Sequence, residues 1–544
     1  MADIDFQIEF EGFNEGQSPL AHLDTKTFIG NKGQASEMKA DVISSPGFVT
    51  QSPALADLTN GTQAGVVDQL IRFILDRPTE ANVTFAIGTT KLFRLGAGEV
   101  DSGDIRLSSV SPSLSPSLSP SVSPSVSISP SVSPSPGSVS PSVSPSVSIS
   151  PSKSPSQSPS VSLSPSISPS PATPTWPQTV SGMVEGDSII RLKANLYAFY
   201  NTATKGDILK MPLGNEVLDQ TWGSVTDQVL ENAPHPVAAK EDIMVFGNGR
   251  YAGVYVEGSA ALDVQKLDFG EGSEVADVVF HSNTWWIAVN YGEGKRGQVY
   301  LYDGSAISNI LSDEAGLGDQ KIGFLYVLNG IVYVAYDDNS SDGFSVGWLQ
   351  GRQIKFLRAF SGSLPDHRQK ALYKNTILFT SSGNLMSMGA SVEQLPLQIS
   401  TLADGGHATL GGIASPFGTP MIASSSGSNH RLAKFSGFST DSNWKSVFID
   451  VTNGRDLGKV HTVIVSTKAL VGDAQCDISL EGNQGAKASS TMSVTTADKT
   501  RHVFKAPNLE AVEDFRLVLD YTNGDTTNAC PIRKVVALGN FVER

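Results

Sequence analysis

Phe324-Leu325-Tyr326-Val327-Leu328-Asn329-Gly330-Ile331-Val332-Tyr333-Val334-Ala335-Tyr336 is the stretch on which the fold turns. Two runs rich in β-branched and aromatic residues flank Asn-Gly. That pair supplies positive φ at both central positions of a two-residue hairpin turn. Phe246-Gly247-Asn248-Gly249 repeats the arrangement, and Tyr251-Ala252-Gly253-Val254-Tyr255-Val256 follows it. Short β-runs of the same kind lie at 83–88, 91–95, 196–200, 278–280, 285–289, 299–304, 373–379, 421–424 and 431–435. The unit recurs about every 40 to 50 residues, the span of a four-stranded propeller blade. The expectation is therefore an all-β chain containing a six- or seven-bladed β-propeller over residues 46–440. Residues 83–95 help to close the ring, and N-terminal β-segments pair against the last blade near Arg431 to Phe435. A β-helix and stacked sandwiches are the alternatives.

From residue 441 the pattern changes. Trp444-Lys445-Ser446-Val447-Phe448-Ile449-Asp450-Val451 alternates faces, as do 460–465, 476–480, 502–505 and 515–520. Asn453-Gly454 and Asn523-Gly524 fall between such runs. Short alternating strands separated by turns predict an antiparallel, jelly-roll-like β-sandwich over 441–544. Residues 1–45 carry single apolar residues among polar ones and sustain no helical period. They read as an extended arm that touches other copies or a neighbouring protein, having too little apolar content for a core of their own.

Residues 104–174 form a Ser/Pro-rich insertion inside the first blade. Every odd position from Ser109 to Ser135 is serine, and every even position from Ser138 to Ser170. The phase flips at Pro136-Gly137, a turn-forming pair. A chain folded back there sets Ser135 opposite Ser138 and Pro134 opposite Val139. Serines then occupy the hydrogen-bonded positions, and the prolines fall at non-bonded positions, where an N–H would point to solvent and its absence costs no ladder bond. Such a hairpin would reach on the order of 80 Å. A disordered spacer is the alternative reading of the same composition.

The 544 residues allow two or three domains. The net charge of −15 argues against wrapping nucleic acid phosphates and suits a surface that DNA passes without sticking. Cys476 and Cys530 are the only cysteines and make no CxxC metal site. One disulfide between them and two free buried thiols are the two readings, the second favoured for a chain made in a cytoplasm. Met1 to Phe13 shows neither a basic leader nor an apolar core, and no run is long enough to span a membrane.

Chemical motifs are few. Gly343-Phe344-Ser345-Val346-Gly347 matches the nucleophile elbow, which needs a strand before it and a helix after it. Trp348-Leu349-Gln350-Gly351 follows instead, so Ser345 reads as a strand serine. Asp338-Asn339-Ser340-Ser341-Asp342-Gly343 begins like a calcium loop, but Leu349 stands where a bidentate Glu belongs. A solvated blade turn is the simpler reading. The eight histidines show no HxxxH or HxE spacing. His235 lies in a rigid Pro-His-Pro turn, and Trp285 and Trp286 point to opposite faces of a strand. No carboxylate pair stands out for glycoside hydrolysis. The expectation is no catalytic, cofactor-binding or metal residue, no cofactor, and a protein that is not an enzyme.

Several stretches carry a resemblance: Val83-Thr84-Phe85-Ala86-Ile87-Gly88-Thr89-Thr90-Lys91-Leu92, Ala198-Phe199-Tyr200-Asn201-Thr202-Ala203-Thr204-Lys205-Gly206-Asp207 and Phe360-Ser361-Gly362-Ser363-Leu364-Pro365. Asp404-Gly405-Gly406-His407-Ala408-Thr409 and Phe417-Gly418-Thr419-Pro420 add to it. The chain resembles virion β-propeller proteins of tailed bacteriophages, of the nozzle, hub or tail-tip type; the Ser/Pro tract is its departure from them. The resemblance implies a structural tail component assembled in the host cytoplasm. Its partners would be other copies of itself and neighbouring tail proteins, with transient passage of DNA or contact with a host glycan or receptor. It implies no membrane insertion. A decoration or adhesion protein with a Ser/Pro stalk is the alternative, and a glycan-binding or glycan-cleaving propeller the third.

Overall fold

The computed structural model describes residues 6–10, 35–41, 50, 51, 53–57, 73, 74, 84–88, 91–95 and, with breaks, 178–543. The Ser/Pro tract and the candidate calcium-loop residues 338–342 lie outside these.

The fold is all-β. Among the described residues, seven small antiparallel sheets follow one another along the chain as propeller blades. Blade 1 pairs Phe73–Ile74, Thr84–Ile87, Lys91–Leu95 and Gln178–Thr179. Blade 2 contains Glu185–Leu192, Asn195–Asn201 and Gly206–Pro212. Blades 3, 4, 5 and 6 begin on Val237–Lys240, Ser273–His281, Ile322–Leu328 and Lys370–Tyr373, and each continues as a four-stranded meander. Blade 7 combines Thr409–Ala414, Met421–Ser426 and Asn429–Phe438 with Pro53–Asp57 from far upstream. The pairs Ala433↔Asp57, Lys434↔Ala56 and Phe435↔Leu55 make this join, at the place the sequence pointed to. It covers the open edge of the last sheet with an early strand.

The hairpin turns follow their chemistry. Leu328 pairs with Ile331, with Asn329 at φ 51° and Gly330 at φ 78° between them, the two left-handed positions that Asn-Gly favours. Four of the first strands listed above or their relatives carry a register shift: Glu185–Leu192, Ser273–His281, Ile322–Leu328 and Thr409–Ala414. Such bulges bend a strand and re-aim its side chains.

Polar side chains tie successive blades. Asn290 of blade 4 holds Ile322 of blade 5 twice, donating to its carbonyl at 3.0 Å and accepting its N–H at 2.8 Å. Asn201 of blade 2 donates to the Ala233 carbonyl ahead of blade 3 at 3.1 Å. Apolar clusters fill the spaces between, such as Tyr197, Phe199, Met244 and Phe246 between blades 2 and 3.

The terminal sandwich has two sheets. One runs Phe6–Phe10, Ile532–Val542, Leu457–Thr467, Arg501–Lys505. The other includes Ala35–Asp41, Asn443–Ser446, Asp514–Asp520 and Cys476–Gly482 in that order. Alternate residues of Cys476–Gly482 are buried, the signature of a half-covered strand. Two N-terminal segments are thus sandwich strands, which differs from the expected extended arm. Phe6–Phe10 pairs with Ile532–Val542, and Ile8 and Phe10 enter the core. Ala35–Asp41 pairs with Asn443–Ser446. For these residues the partner is the chain's own C-terminal region, more than 400 positions away, so no local pattern announced it.

Candidate functional site

The first strands of the blades surround the propeller axis, and several buried charged residues lie on those strands or just ahead of them. Asp187 of blade 2 is almost fully buried. Its Oδ2 accepts the His235 backbone N–H at 2.6 Å and lies 3.2 Å from His367 Nε2. Arg368 Nη1 stands 3.5 Å from Asp187 Oδ1 and 3.0 Å from Glu185 Oε1. Arg368 also grips Asp366 through Nη2 at 2.6 Å and Nε at 2.8 Å. His235 is buried, its Nδ1 bonded to the Gly247 carbonyl at 2.9 Å and its Nε2 3.2 Å from Asn201 Oδ1. His367 and Arg368 precede blade 6, so their contacts with blade 2 join blades that are not neighbours and cross the axis.

A second bridge does the same. Lys370 of blade 6 donates to the Asp277 carboxylate of blade 4, and to the Leu325 carbonyl of blade 5 at 2.6 Å. Asp277 is wholly buried and also accepts the N–H of Leu325 at 2.7 Å and of Val278 at 2.8 Å. Further along the same strands a cavity of about 530 Å³ opens, lined by residues 237–239, 278–280, 326–327, 370–372 and 413–415. Phe280 and Tyr326 supply aromatic wall, and Leu372 is 48% exposed. The axis thus carries an ion-paired lock, with a pit that Lys370 also lines.

Burial alone would raise the Asp187 carboxyl, but His367, Arg368 and His235 outweigh it and hold it well below the usual carboxylate range. Asp366 is likewise lowered against its burial, mainly by Arg368 and His367. Burial pushes His235 down from 6.5. The signs agree. A depressed carboxyl stabilises the fold above its unfolded value of 3.8, and that contribution is lost as pH falls toward the folded value. A depressed histidine is neutral when folded and takes up a proton on unfolding below 6.5, so stability again falls with pH. Thermal melts across the acid range should show a propeller transition that is flat above about pH 7. It should decline below about pH 6.5 and more steeply below about pH 4, each proton adding about 1.4 kcal/mol per pH unit. A transition flat down to about pH 4 would remove His235 from this account.

Ser345 lies inside the strand Gly343–Gln350, paired with Ala359 and buried, so the elbow motif is a strand. Trp285 is buried in blade 4, while Trp286 packs toward blade 5 and donates to the His281 carbonyl at 3.3 Å. His235 proves to be part of the axial lock as well as of its Pro-His-Pro turn. The sequence reading missed Glu185, Asp187, Asp277, Asp366, His367, Arg368 and Lys370. Asp187 and His367 are separated by 180 positions, and no linear motif spans such a gap. Among the described residues, no group of three or more His, Cys, Asp or Glu is arranged to hold a metal ion. No described helix is long and apolar enough to cross a membrane.

No family model and no curated protein matches the chain. Solved structures do. PorZ, a surface component of the type-IX secretion system of Porphyromonas gingivalis, is 10% identical with a TM-score of 0.39, over 83% of this chain and 46% of that one. This chain thus spans about half the length of PorZ. An exo-β-1,3-galactanase of Phanerochaete chrysosporium is 9% identical with a TM-score of 0.25, over 66% and 84% of the two chains. A Trypanosoma rangeli sialidase is 9% identical with a TM-score of 0.31, over 68% and 93%. At these values the likeness concerns the fold alone. Glycoside hydrolases and a sialidase stand among the similar structures, so the reading of the chain as not an enzyme is withdrawn.

Proposed function

We propose that the chain is a structural component of a tailed-phage particle, built into the tail as part of a nozzle, hub or tip. Copies of it surround the path of DNA exit or anchor receptor-binding parts. The observation that carries this reading is how the Ser/Pro insertion is mounted. In sequence it lies between Lys91–Leu95 and Gln178–Thr179, two strands that Lys91↔Thr179 and Leu92↔Gln178 pair in one blade. The ring that bears it is fastened by an early strand and braced across its axis. A ring fastened and braced in this way, with an insertion between two paired strands of one blade, is suited to engaging a neighbour in an assembly. The bridges also occupy the axis, so DNA would pass through a ring of copies and not through one propeller. The net charge of −15 favours passage without adhesion.

The pit supports a second reading, recognition of a host glycan. Apolar and aromatic walls with a few polar groups are the ordinary make-up of a small-ligand site.

One set of measurements separates them. Purified particles are analysed by quantitative mass spectrometry and by imaging with labelled antibody against this chain. A small fixed copy number confined to the tail is the expected result. Distribution over the capsid would favour the decoration protein, and absence from particles would sink the tail assignment. Binding of host surface polysaccharide to the isolated chain, weakened by Leu372→Arg at the pit, would bear out the second reading.

A further inference from the structure

The terminal sandwich holds a site unconnected with the propeller axis. Cys476 opens the strand Cys476–Gly482 of one sheet, and Cys530 lies just ahead of Ile532–Val542 in the other. Both thiols are free, fully buried and members of one core cluster. Cys476, Tyr521 and Cys530 are packed in the same core cluster, and Cys476 Sγ donates to the Asp477 carbonyl at 3.7 Å. The pairing Asp477↔Asp520 sets Tyr521 beside Cys476 across two strands. Cys530 is positioned from the other side. Its backbone N–H donates to Gln51 Oε1 at 3.0 Å, and Gln51 is itself fully buried. Two buried cysteines of one core, carried by different sheets, are placed to be joined by a disulfide, whose sulfurs stand roughly 2.0 Å apart.

We propose that Cys476 and Cys530 form a disulfide site that staples the two sheets of the sandwich together in oxidising surroundings. With a small-molecule disulfide as oxidant, one cysteine thiolate displaces half of it and forms a mixed disulfide. The second cysteine then displaces the other half. The two cysteines together lose two protons and two electrons, and the oxidant leaves as two thiols. Burial and the neighbouring Cys530 push the Cys476 thiol well up, so it stays protonated and inert while the core is closed. Reaction therefore proceeds through local opening of the sandwich. This inference is independent of where in a particle the chain resides.

The test uses the full chain incubated with oxidised glutathione, then unfolded, alkylated and weighed intact. The expected product is a monomer lighter by two hydrogens that takes up no alkyl group. Cys476→Ser and Cys530→Ser should each show one thiol and no such loss. The crosslinked chain should also unfold at higher urea than the reduced chain and revert on reduction. Two alkylatable thiols after prolonged oxidation, glutathione on both cysteines, or a disulfide-linked dimer would each overturn the proposal. Equal urea midpoints for the crosslinked and reduced chains would overturn the staple.

Discussion

Asp277→Ala is expected to destabilise the propeller by about 3–5 kcal/mol, the usual cost of leaving a buried charge without its partner. Lys370 has only 6% of its side chain exposed, and Asp277 none. With the carboxylate gone, the ammonium keeps the Leu325 carbonyl as a neutral acceptor but loses its counter-charge. The N–H groups of Leu325 and Val278 lose an acceptor at the same stroke. Those losses act on blades 4, 5 and 6 together, so unfolding should remain cooperative and shift as a whole. Urea unfolding followed by tryptophan fluorescence is a suitable measurement, since Trp285 lies in the same blade as Asp277. The double variant Asp277→Ala/Lys370→Met should recover a substantial part of the loss, because it removes the stranded charge as well. A cost under about 1 kcal/mol for the single variant would mean that the bridge contributes no more than an exposed ion pair.

The second large effect concerns the first strand. Phe10→Ala should cost about 3–5 kcal/mol of sandwich stability, the usual range for emptying a buried aromatic site. Phe10 is fully buried, with its ring edge-on to Phe515 at 6.2 Å between centroids. Glu9 adds a contact with Lys534 at 2.5 Å, although a half-exposed ion pair of this kind contributes little. Deleting residues 1–12 goes further. It removes the neighbour of Ile532–Val542 on one side and leaves that long strand as an open edge. The truncated chain should aggregate, or lose hydrogen-exchange protection along Ile532–Val542. A monomeric truncation with full protection there would show that Phe6–Phe10 is dispensable, as an arm would be.

Much of the fold was legible because its signals are local. Asn329-Gly330 adopts the backbone its residue types favour, and the flanking runs pair as the turn dictates. Trp285 and Trp286 face opposite ways because strand side chains alternate. Gly343 to Gly347 was readable as a strand because a turn and a strand, not a helix, follow it. The pairing of early residues with 431–435 was also legible, since an open propeller edge demands a cover and few segments were left to supply it.

The all-β class, the hairpin unit and its period, the place where the ring closes and a separate alternating region at the C-terminus can all be read along the chain. Each follows from turn chemistry and side-chain period, which act over a few residues. It took the folded chain to show that the described blades number seven and that Phe6–Phe10 and Ala35–Asp41 belong to the sandwich. The fold alone placed Asp187 against His367 and Arg368, Asp277 against Lys370, and Cys476 in one core with Cys530. Those groups meet because closing a ring and stacking two sheets bring distant segments to one axis and one core. The strength of such contacts depends on burial and on distance in space, and neither is written in the spacing of residues along the chain.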